Sequence, residues 1–174
     1  MKEISFFRNE ILPLKNELFR LAMRITLNRA DAEDVVQETM LKVWNRREQW
    51  SELESVEAFC LTICRNVALD KTKRTDRQNS SLEEGNSYEQ ADHSYDANPE
   101  EQTVQRDRVE LVRQLISQLP EKQRTCMQLR DMEGKAYKDI AEILGITEQQ
   151  VKVNIFRGRQ AIKKKFMQIE QHGL

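Results

Sequence analysis

The sequence contains few of the residues that break helices. Only 5 of its 174 residues are glycine and 3 are proline. Glycine and proline are the least favourable residues in a helix interior, so their scarcity predicts long helices. A long apolar run is also missing, because charged residues such as Arg8, Glu10 and Lys15 interrupt the first apolar stretch. The sequence therefore predicts neither a signal peptide nor membrane insertion, and it favours a cytoplasmic protein.

The residue groups that carry enzyme chemistry are also scarce. The five glycines are scattered and form no phosphate-binding loop. The two histidines, His93 and His172, lie in a polar stretch and in the tail, away from any cluster of metal-binding side chains. We therefore expect no catalytic site, no metal, no cofactor and no small-molecule substrate.

Three cysteines are too few for a disulfide framework, and an odd number in an intracellular chain is normally reduced. Cys60 and Cys64 share one face of a predicted helix, so a metal or redox pair is one interpretation of them. Because no histidine lies near them, small thiols buried in a core are the favoured interpretation. The sequence alone leaves a redox role of this pair open.

Basic residues are absent from one long stretch. Residues 79–105 contain no lysine or arginine and seven acidic residues, so the rest of the chain holds 28 basic and 22 acidic residues (29 minus 7). This basic balance favours a nucleic-acid partner. The stretch is polar and lacks apolar periodicity, so it cannot bury enough surface to offset ordering entropy. We expect a flexible acidic linker at residues 79–97 between two small helical domains, residues 1–78 and 98–174, in an all-α protein.

Helical apolar spacing runs through residues 6–76. Asn28 and Ser55 stand where N-caps would divide this stretch into three helices, and Pro13 perturbs only the first of them. Residues 98 and 99 combine an N-cap asparagine with a proline at the first helical position, which is the usual start of a helix. The second domain therefore begins there.

Residues 137–166, YKDIAEILGITEQQVKVNIFRGRQAIKKKF, predict a short helix, a turn and a longer helix. Gly145 can adopt the left-handed conformation that follows a helix C-terminus. Thr147 and Gln150 form a capping box that defines the start of the second helix. This pattern is a helix-turn-helix, which by itself predicts DNA binding and nothing narrower.

The second helix of this unit has an unusual outer face. Its inner face carries Val151, Ile155 and Gly158, and its outer face and edges carry Gln149, Lys152, Val153, Phe156 and Arg157. A surface in the major groove can use apolar groups against thymine methyls and Gln or Lys against base edges. Six cations and no acid occur in residues 151–166, which suits DNA phosphates. The alternative is an ordinary amphipathic helix whose lysines favour its negative end.

The predicted helix of residues 29–46 has a second face that carries Asp34, Gln37, Glu38 and Leu41. Acidic residues in the first turns of a helix can simply favour its dipole. Leu41 among these carboxylates favours a protein-docking surface instead, because an exposed apolar residue beside acids can anchor a basic partner.

The third predicted helix, AFCLTICRNVALDKTKR, follows a loop that contains Trp50. Aromatic rings next to cations suit melted DNA, since bases stack on the rings while the cations follow the backbone. Phe59, Ile63 and Trp44 are better interpreted as core residues.

Three segments in this order resemble the extracytoplasmic-function (ECF) sigma factors of bacterial RNA polymerase: DAEDVVQETMLKVW, AFCLTICRNVALDKTKR and LPEKQRTCMQLRDMEGKAYKDIAEILGITEQQVKVNIFRGRQAIKKKF. The resemblance covers nearly the whole chain apart from the linker. It implies a first domain similar to sigma domain 2 and a second similar to sigma domain 4. It further implies that the chain directs promoter recognition and transcription initiation, with core RNA polymerase, promoter DNA and an anti-sigma factor as partners.

In that family the first domain docks on a coiled coil of polymerase and reads the melted minus-10 element. The second domain reads the duplex minus-35 element and touches the polymerase flap. By resemblance, the polymerase-docking residues are Asp34, Gln37, Glu38 and Leu41. The minus-10 residues are Trp50, Arg65, Asn66, Lys73 and Arg74, with residues 45–55 forming part of a pocket for a flipped-out base. The minus-35 residues are Thr147, Gln149, Lys152, Val153, Phe156, Arg157 and Arg159.

The sequence departs from the family pattern in three places. Asn154 and Gly158 stand where the family often has a basic residue and an alanine, and the loop after Trp44 lacks the expected glycines. One phosphate contact and the minus-10 base preference are therefore left undefined.

The alternative to a sigma factor is a helix-turn-helix transcriptional regulator that binds DNA independently of polymerase. Such a protein needs a sensing half, commonly with alternating strands, whereas residues 1–78 show only helical periodicity.

Overall fold

The computed structural model of the protein describes residues 1–80 and 99–172, and in these ranges every regular element is a helix. The α-helices are α1 (Lys2–Phe6), α2 (Lys15–Thr26), α3 (Arg29–Asn45), α4 (Val56–Asn79), α5 (Pro99–Ser117), α6 (Glu121–Met127), α7 (Tyr137–Leu144) and α8 (Glu148–Gln171). Two short π-helical segments, Phe7–Ile11 and Gln128–Met132, and two 3-10 segments, Leu12–Leu14 and Arg47–Glu52, join them. The prediction of an all-α protein is confirmed, and residues 1–80 contain none of the strands that a sensing domain would need.

The predicted linker lies outside the described residues except for its first two positions, 79 and 80. Helix α4 ends at Asn79 and α5 begins at Pro99, so both helix ends fall within one residue of the predicted domain boundaries.

Helices α2, α3 and α4 pack against one another and form the N-terminal bundle. Both predicted N-caps define helix starts, because Asn28 accepts a hydrogen bond from the amide of Asp31 and Ser55 accepts one from the amide of Ala58. Pro13 lies in the 3-10 segment before α2 and divides the first predicted helix.

The C-terminal bundle comprises α5 to α8, and its last two helices form the predicted helix-turn-helix. Gly145 follows α7 with φ +67°, which is the left-handed conformation that the sequence predicts. The capping box is also present: the Gln150 amide donates to the Thr147 hydroxyl at 3.1 Å, and the Thr147 amide donates to the Gln150 side chain at 2.9 Å. These contacts fix where α8 begins relative to α7.

The two bundles pack directly against each other. Helix α4 contacts α7, and α2 contacts both α6 and the π-helical segment Gln128–Met132. Buried apolar residues of both bundles belong to one continuous core, which includes Ala58 and Leu61 from α4 and Ile140 and Ile143 from α7. In the described residues the two bundles are therefore in contact, an arrangement that we call closed, and the helix-turn-helix lies against the N-terminal bundle.

Gly158 lies where α8 crosses α6. A Cβ atom at this position would lie 2.6 Å from Sδ of Met127 and 3.5 Å from Cδ1 of Leu119. The end of the Met127 side chain can shift to admit a methyl group, but a larger side chain would push the two helices apart. The departure from the family's alanine thus allows a close approach between α6 and α8.

We expect Gly158→Val to lower the free energy of unfolding by about 2 kcal/mol, because overpacking a core typically costs 1–3 kcal/mol. For a chain of this size that corresponds to a melting temperature about 4–8 °C lower, measured by circular dichroism. Ala161→Val, at a half-exposed position of the same helix, serves as the control and should have a smaller effect. Valine is a better helix former than glycine, so without a steric clash Gly158→Val would leave the melting temperature unchanged or raise it. Either result would show that the contact with Met127 does not limit the size of the side chain at this position.

Candidate nucleic-acid and protein interfaces

The outer face of α8 points to solvent, as the sequence predicts. Val151, Ile155 and Gly158 are buried on the inner face because apolar or small residues recur there at three- and four-residue spacing. Phe156 on the outer face is 63% exposed, which is unusual for a large ring in a folded chain. Of the predicted minus-35 residues, Val153 is half-buried and the others are exposed: Thr147, Gln149, Lys152, Phe156, Arg157 and Arg159.

Two cations beside this face lie against the ring of Tyr137. Nζ of Lys152 is 5.4 Å from the ring centroid, and the guanidinium carbon of Arg130 is 4.3 Å from it. The ring quadrupole attracts both cations, so Tyr137 helps to position Lys152. The sequence analysis missed Tyr137, because no local pattern showed that the first residue of α7 lies next to the outer face of α8.

Arg159 is held by a carboxylate of its own domain. Its guanidinium donates to both oxygens of Asp131, with Nε 3.1 Å from Oδ2. The hydrogen bond to Asp131 raises the pKa of Arg159 further above its already high value. The pair with Asp131 fixes one edge of the Arg159 guanidinium and leaves Nη1 without a contact to this carboxylate.

The outer face of α3 combines exposed acids with an exposed leucine. Leu41 is 65% exposed. Lys71 lies 3.4 Å from Asp34, and Lys42 lies 3.4 Å from Glu38, so both acids have weak surface partners. Gln37 is exposed beside them. The four predicted docking residues thus form one accessible surface.

Helix α4 presents only part of its predicted DNA surface. Asn66, Lys73 and Arg74 are exposed. Arg65 is only 7% exposed, because its guanidinium forms two hydrogen bonds with the carboxylate of Glu121, at 3.0 and 3.1 Å. The assignment of Arg65 to the minus-10 surface stays a prediction, and in this structure its guanidinium is paired with Glu121. The sequence analysis missed Glu121, which is distant along the chain.

Trp50 does not offer a ring face to a base. It is 7% exposed, it stacks on Phe6 with ring centroids 5.2 Å apart, and Phe7 and Trp44 also lie against it. Its indole nitrogen donates to the carbonyl oxygen of Val43 at 3.2 Å. The role of Trp50 in minus-10 binding stays a prediction, and in this structure the residue anchors the loop of residues 45–55 to the core.

The three cysteines are buried and unbridged, which confirms the interpretation as core thiols. Burial raises the pKa of Cys60 and of Cys64 to about 12. A thiol is nucleophilic and binds metals as its thiolate, so Cys60 and Cys64 are poorly suited to redox or metal chemistry. Within residues 1–80 and 99–172, no group of three or more metal-binding side chains occurs.

Charged and polar residues join the two bundles along what we call the interdomain seam. Its members are Glu17, Arg20, Arg24, Glu57 and Arg65 of the N-terminal bundle and Glu121, Gln128, Glu133 and Lys135 of the C-terminal bundle. Arg20 donates twice to the carboxylate of Glu133, at 2.6 and 2.8 Å, and Arg24 donates to the side-chain oxygen of Gln128 at 3.0 Å. The hydrogen bond from Arg20 lowers the pKa of Glu133.

Lys135 contacts two carboxylates of the N-terminal bundle. Its ammonium lies 2.8 Å from Glu17 and also contacts Glu57. Burial alone would lower the pKa of Lys135, but its hydrogen bonds to the two carboxylates outweigh burial and raise it. The lysine is therefore held in its charged form between two helices of the other bundle.

An open apolar groove of about 380 Å³ crosses the C-terminal bundle between α5, Gln128–Met132 and α8. Its apolar lining consists of Val112, Ile116, Met127, Met132, Ile162 and Phe166. Arg24 and Lys163 lie at its edge, so the groove combines an apolar floor with basic residues.

In the described part of the chain, no helix is long and apolar enough to cross a membrane.

Comparison with known proteins agrees with this geometry. Residues 11–78 match the family model of Sigma-70 region 2, and residues 110–162 match that of Sigma-70, region 4. The chain is 30% identical to the ECF RNA polymerase sigma factor SigL of Mycobacterium tuberculosis over 84% of its own length and 80% of that protein. It is 29% identical to the RNA polymerase sigma-H factor of Pseudomonas aeruginosa, over 88% of its own length and 82% of that protein.

Solved structures share the fold. The sigma factor RpoE from Bartonella quintana, in complex with the anti-sigma factor NepR, superposes with a TM-score of 0.76 at 22% identity, over 91% of this chain and 94% of that one. CnrH in complex with the cytosolic domain of CnrY superposes with a TM-score of 0.66 at 17% identity, over 92% of this chain and 86% of that one. With region 2 in its N-terminal bundle and region 4 in its C-terminal bundle, the chain belongs to the extracytoplasmic-function family of RNA polymerase sigma factors.

Proposed function

We propose that this sigma factor binds core RNA polymerase through the outer face of α3, contacts the minus-10 element through α4 and reads the minus-35 element with α8. One observation carries the proposal: a single chain exposes an acidic face around Leu41, suited to a protein, and a basic face around Phe156, suited to duplex DNA. Because sigma factors select promoters and the polymerase makes the RNA, the proposal assigns no catalytic step, cofactor or small-molecule substrate to the chain. The protein would act in the cytoplasm, where RNA polymerase transcribes.

The proposed minus-35 surface has two parts. Near the start of α8, Gln149, Lys152 and Phe156 would face base edges and thymine methyls in the major groove. Arg157 and the exposed lysines that follow would contact phosphates, which position the helix without reading sequence. The capping box at Thr147 supports this assignment, since it sets the start of the helix and hence which side chains enter the groove.

The proposed docking surface relies on Leu41 as its apolar centre. Asp34 and Glu38 flank it and would meet basic residues of a polymerase coiled coil. Their present partners, the half-buried Lys71 and the exposed Lys42, form surface ion pairs that contribute little free energy, so polymerase could replace them.

The proposed minus-10 surface consists of Asn66, Lys73 and Arg74 in the closed chain, with Arg65 added once Glu121 moves away. Trp50, which the sequence analysis also assigned to this surface, is buried in this structure. The loop of residues 45–55 would still border the pocket for an extruded base, with Trp50 as its internal support.

Two further partners fit the C-terminal bundle. We infer that the apolar groove between α5 and α8 receives the polymerase flap, because it offers an apolar floor with basic residues at its edge. We also infer that an anti-sigma factor binds the chain, since the similar structure of RpoE from Bartonella quintana is a complex with the anti-sigma factor NepR. The division into domains at residues 1–78 and 98–174 is part of this proposal.

Reconstituted transcription tests the proposed function as a whole. Purified chain is added to core polymerase over a library of promoter fragments, and transcripts are mapped by sequencing. We expect defined start sites that share an upstream and a downstream element. Failure to bind core polymerase, or starts that do not depend on promoter sequence, would refute the proposal.

Replacing an acid on the docking face should weaken core binding specifically. We expect Glu38→Lys to raise the Kd for core polymerase about tenfold, which corresponds to about 1.4 kcal/mol, because it places a cation opposite basic residues. Titration of labelled chain with core polymerase measures this Kd. The matched control is Glu33→Lys, the same charge change at an exposed position of α3 outside the proposed face. Equal losses in both variants would assign the effect to net charge and not to this face.

Substitutions on α8 should affect the promoter and spare core binding. We expect Lys152→Ala to reduce transcription from promoters with a matched minus-35 element about tenfold and to change the ranking of base variants, since a lost base contact costs about 1–3 kcal/mol. Lys164→Ala, an exposed lysine farther along α8, should instead weaken all promoters alike. Promoter-library transcription measures both effects. A Lys152→Ala variant that binds core polymerase poorly, or that keeps the wild-type ranking, would contradict this division of roles.

A further inference from the structure

We propose that Phe6 and Phe7 are positioning residues for the loop of residues 45–55, and that the support they give sets the base preference of the chain at the minus-10 element. The second half of the proposal rests on the proposed function, because it assumes that this loop borders the pocket for an extruded base. The first half concerns only the chain itself and is tested without DNA.

The loop is closed at its base by an aromatic contact. The chain has two tryptophans, and both lie at this loop: Trp44 one residue before the end of α3 and Trp50 in the 3-10 segment Arg47–Glu52. Their ring centroids are 5.9 Å apart in an edge-to-face arrangement. The five residues between them, 45–49, are polar or charged and all exposed. The loop thus presents polar side chains to solvent while the two rings hold its ends together.

The start of the chain completes this aromatic cluster. Phe6 stacks on Trp50 with centroids 5.2 Å apart and planes at 26°. Phe7 lies 6.3 Å from Trp50 and meets Trp44 edge to face at 5.5 Å. Stacked and edge-to-face rings contribute free energy beyond the area that they bury. Because the Trp50 indole also donates to the carbonyl oxygen of Val43, its ring is fixed in rotation as well as in position.

Helix α1 has little other contact with the rest of the molecule. Its residues 2–5 are exposed, and Phe6 is its one half-buried side chain. A helix of five residues is far too short to be stable by itself. Its order therefore depends on the stack between Phe6 and Trp50, and Ile11, which is fully buried, anchors the segment that follows. The N-terminal helix and the loop stabilise each other.

The exposed part of the loop is tied to these rings. The guanidinium carbon of Arg47 lies 5.4 Å from the centroid of the Trp44 ring. The amide of Gln49, next to Trp50, donates to the carbonyl oxygen of Arg46 at 2.9 Å. A displaced Trp50 would therefore move the polar side chains before it. Reading a base requires binding groups held within about 0.5 Å of their productive positions, so a loosened loop should discriminate less well between bases.

Fluorescence and hydrogen exchange test the support of the loop without DNA. Because both tryptophans lie in the cluster, intrinsic tryptophan emission reports on it alone. We expect Phe6→Ala to shift the emission maximum to longer wavelength, to increase quenching by acrylamide and to speed amide exchange in residues 45–55. The matched control is Ile4→Ala, which removes an exposed apolar side chain of the same helix and should change none of these. Unchanged emission and exchange in Phe6→Ala would overturn the first half of the proposal.

Two conservative variants separate the ring from general effects on folding. Phe6→Tyr keeps an aromatic ring at this half-buried position, and we expect it to match the wild type. Phe6→Leu keeps apolar volume without a ring and should lie between the wild type and Phe6→Ala. Far-UV circular dichroism verifies the helical content of each variant, and Phe6→Leu carries the test if Phe6→Ala unfolds. A tyrosine variant whose loop exchanges as fast as that of the alanine variant would contradict stacking as the source of support.

Promoter-library transcription with core polymerase tests the base preference. The library varies each position of the minus-10 and minus-35 elements. We expect Phe6→Ala to lower the preference for the best base about tenfold at one or two minus-10 positions, since a mismatched base commonly costs that much affinity. The minus-35 ranking should stay unchanged, and Phe6→Tyr and Ile4→Ala should keep the wild-type preferences.

The possible failures are distinguishable. A Phe6→Ala chain that lowers all transcripts alike and keeps the minus-10 ranking would overturn the second half of the proposal, because a merely structural role predicts that result. A wild-type chain without any base preference in the minus-10 element would instead refute that part of the proposed function, and the second half with it. Fluorescence and exchange would still decide the first half by themselves.

Discussion

Helix α4 is the element on which the rest of the structure depends, because both bundles bury it. Its apolar residues pack against α2 and α3 on one side and against α7 of the helix-turn-helix on another. The same helix carries Glu57 and Arg65 into the seam and leaves Asn66, Lys73 and Arg74 exposed. A helix shared in this way links the proposed minus-10 surface to the position of the C-terminal bundle, which carries the proposed minus-35 surface. Neither surface can be described without reference to how α4 is covered.

The ion pairs of the chain fall into two classes with different consequences. Pairs on the outer face of α3, such as Lys71 with Asp34 and Lys42 with Glu38, lie at the surface and contribute about 0–1 kcal/mol, so a partner could replace them easily. Pairs of the seam are more enclosed, and removing one member of a buried pair can cost about 3–5 kcal/mol because it strands the other charge. Arg159 with Asp131 lies between these classes, since it is bidentate but half-exposed. The acids on the outer face of α3 are thus in solvent-accessible pairs, whereas the ion pairs between the two bundles are more enclosed.

Sequence reasoning succeeded where the interactions are local. The N-caps at Asn28 and Ser55, the capping box at Thr147 and the left-handed Gly145 each involve residues a few positions apart, and the structure contains all four. The outward orientation of Leu41 and Phe156 followed from helical periodicity for the same reason. The sequence did not predict the burial of Trp50, because its environment is not local: Phe6 and Phe7, from the start of the chain, cover its ring. An aromatic residue beside cations gives the same sequence signal whether it stacks on bases or on other side chains.

The sequence by itself determined the all-helical class, the two helical units, the helix-turn-helix and the family, since these depend on periodicity, caps and contiguous motifs. Tertiary structure alone decided which predicted site residues are accessible. Arg65 is an arginine on a basic helix in the sequence, yet Glu121, 56 residues away, takes its guanidinium. Likewise, no local pattern around Lys135 predicts its partners, yet it lies between Glu17 and Glu57 of the other bundle. Pairings between distant charges leave no periodic trace in a sequence, because they depend on how the two bundles meet and not on any repeating spacing along one of them.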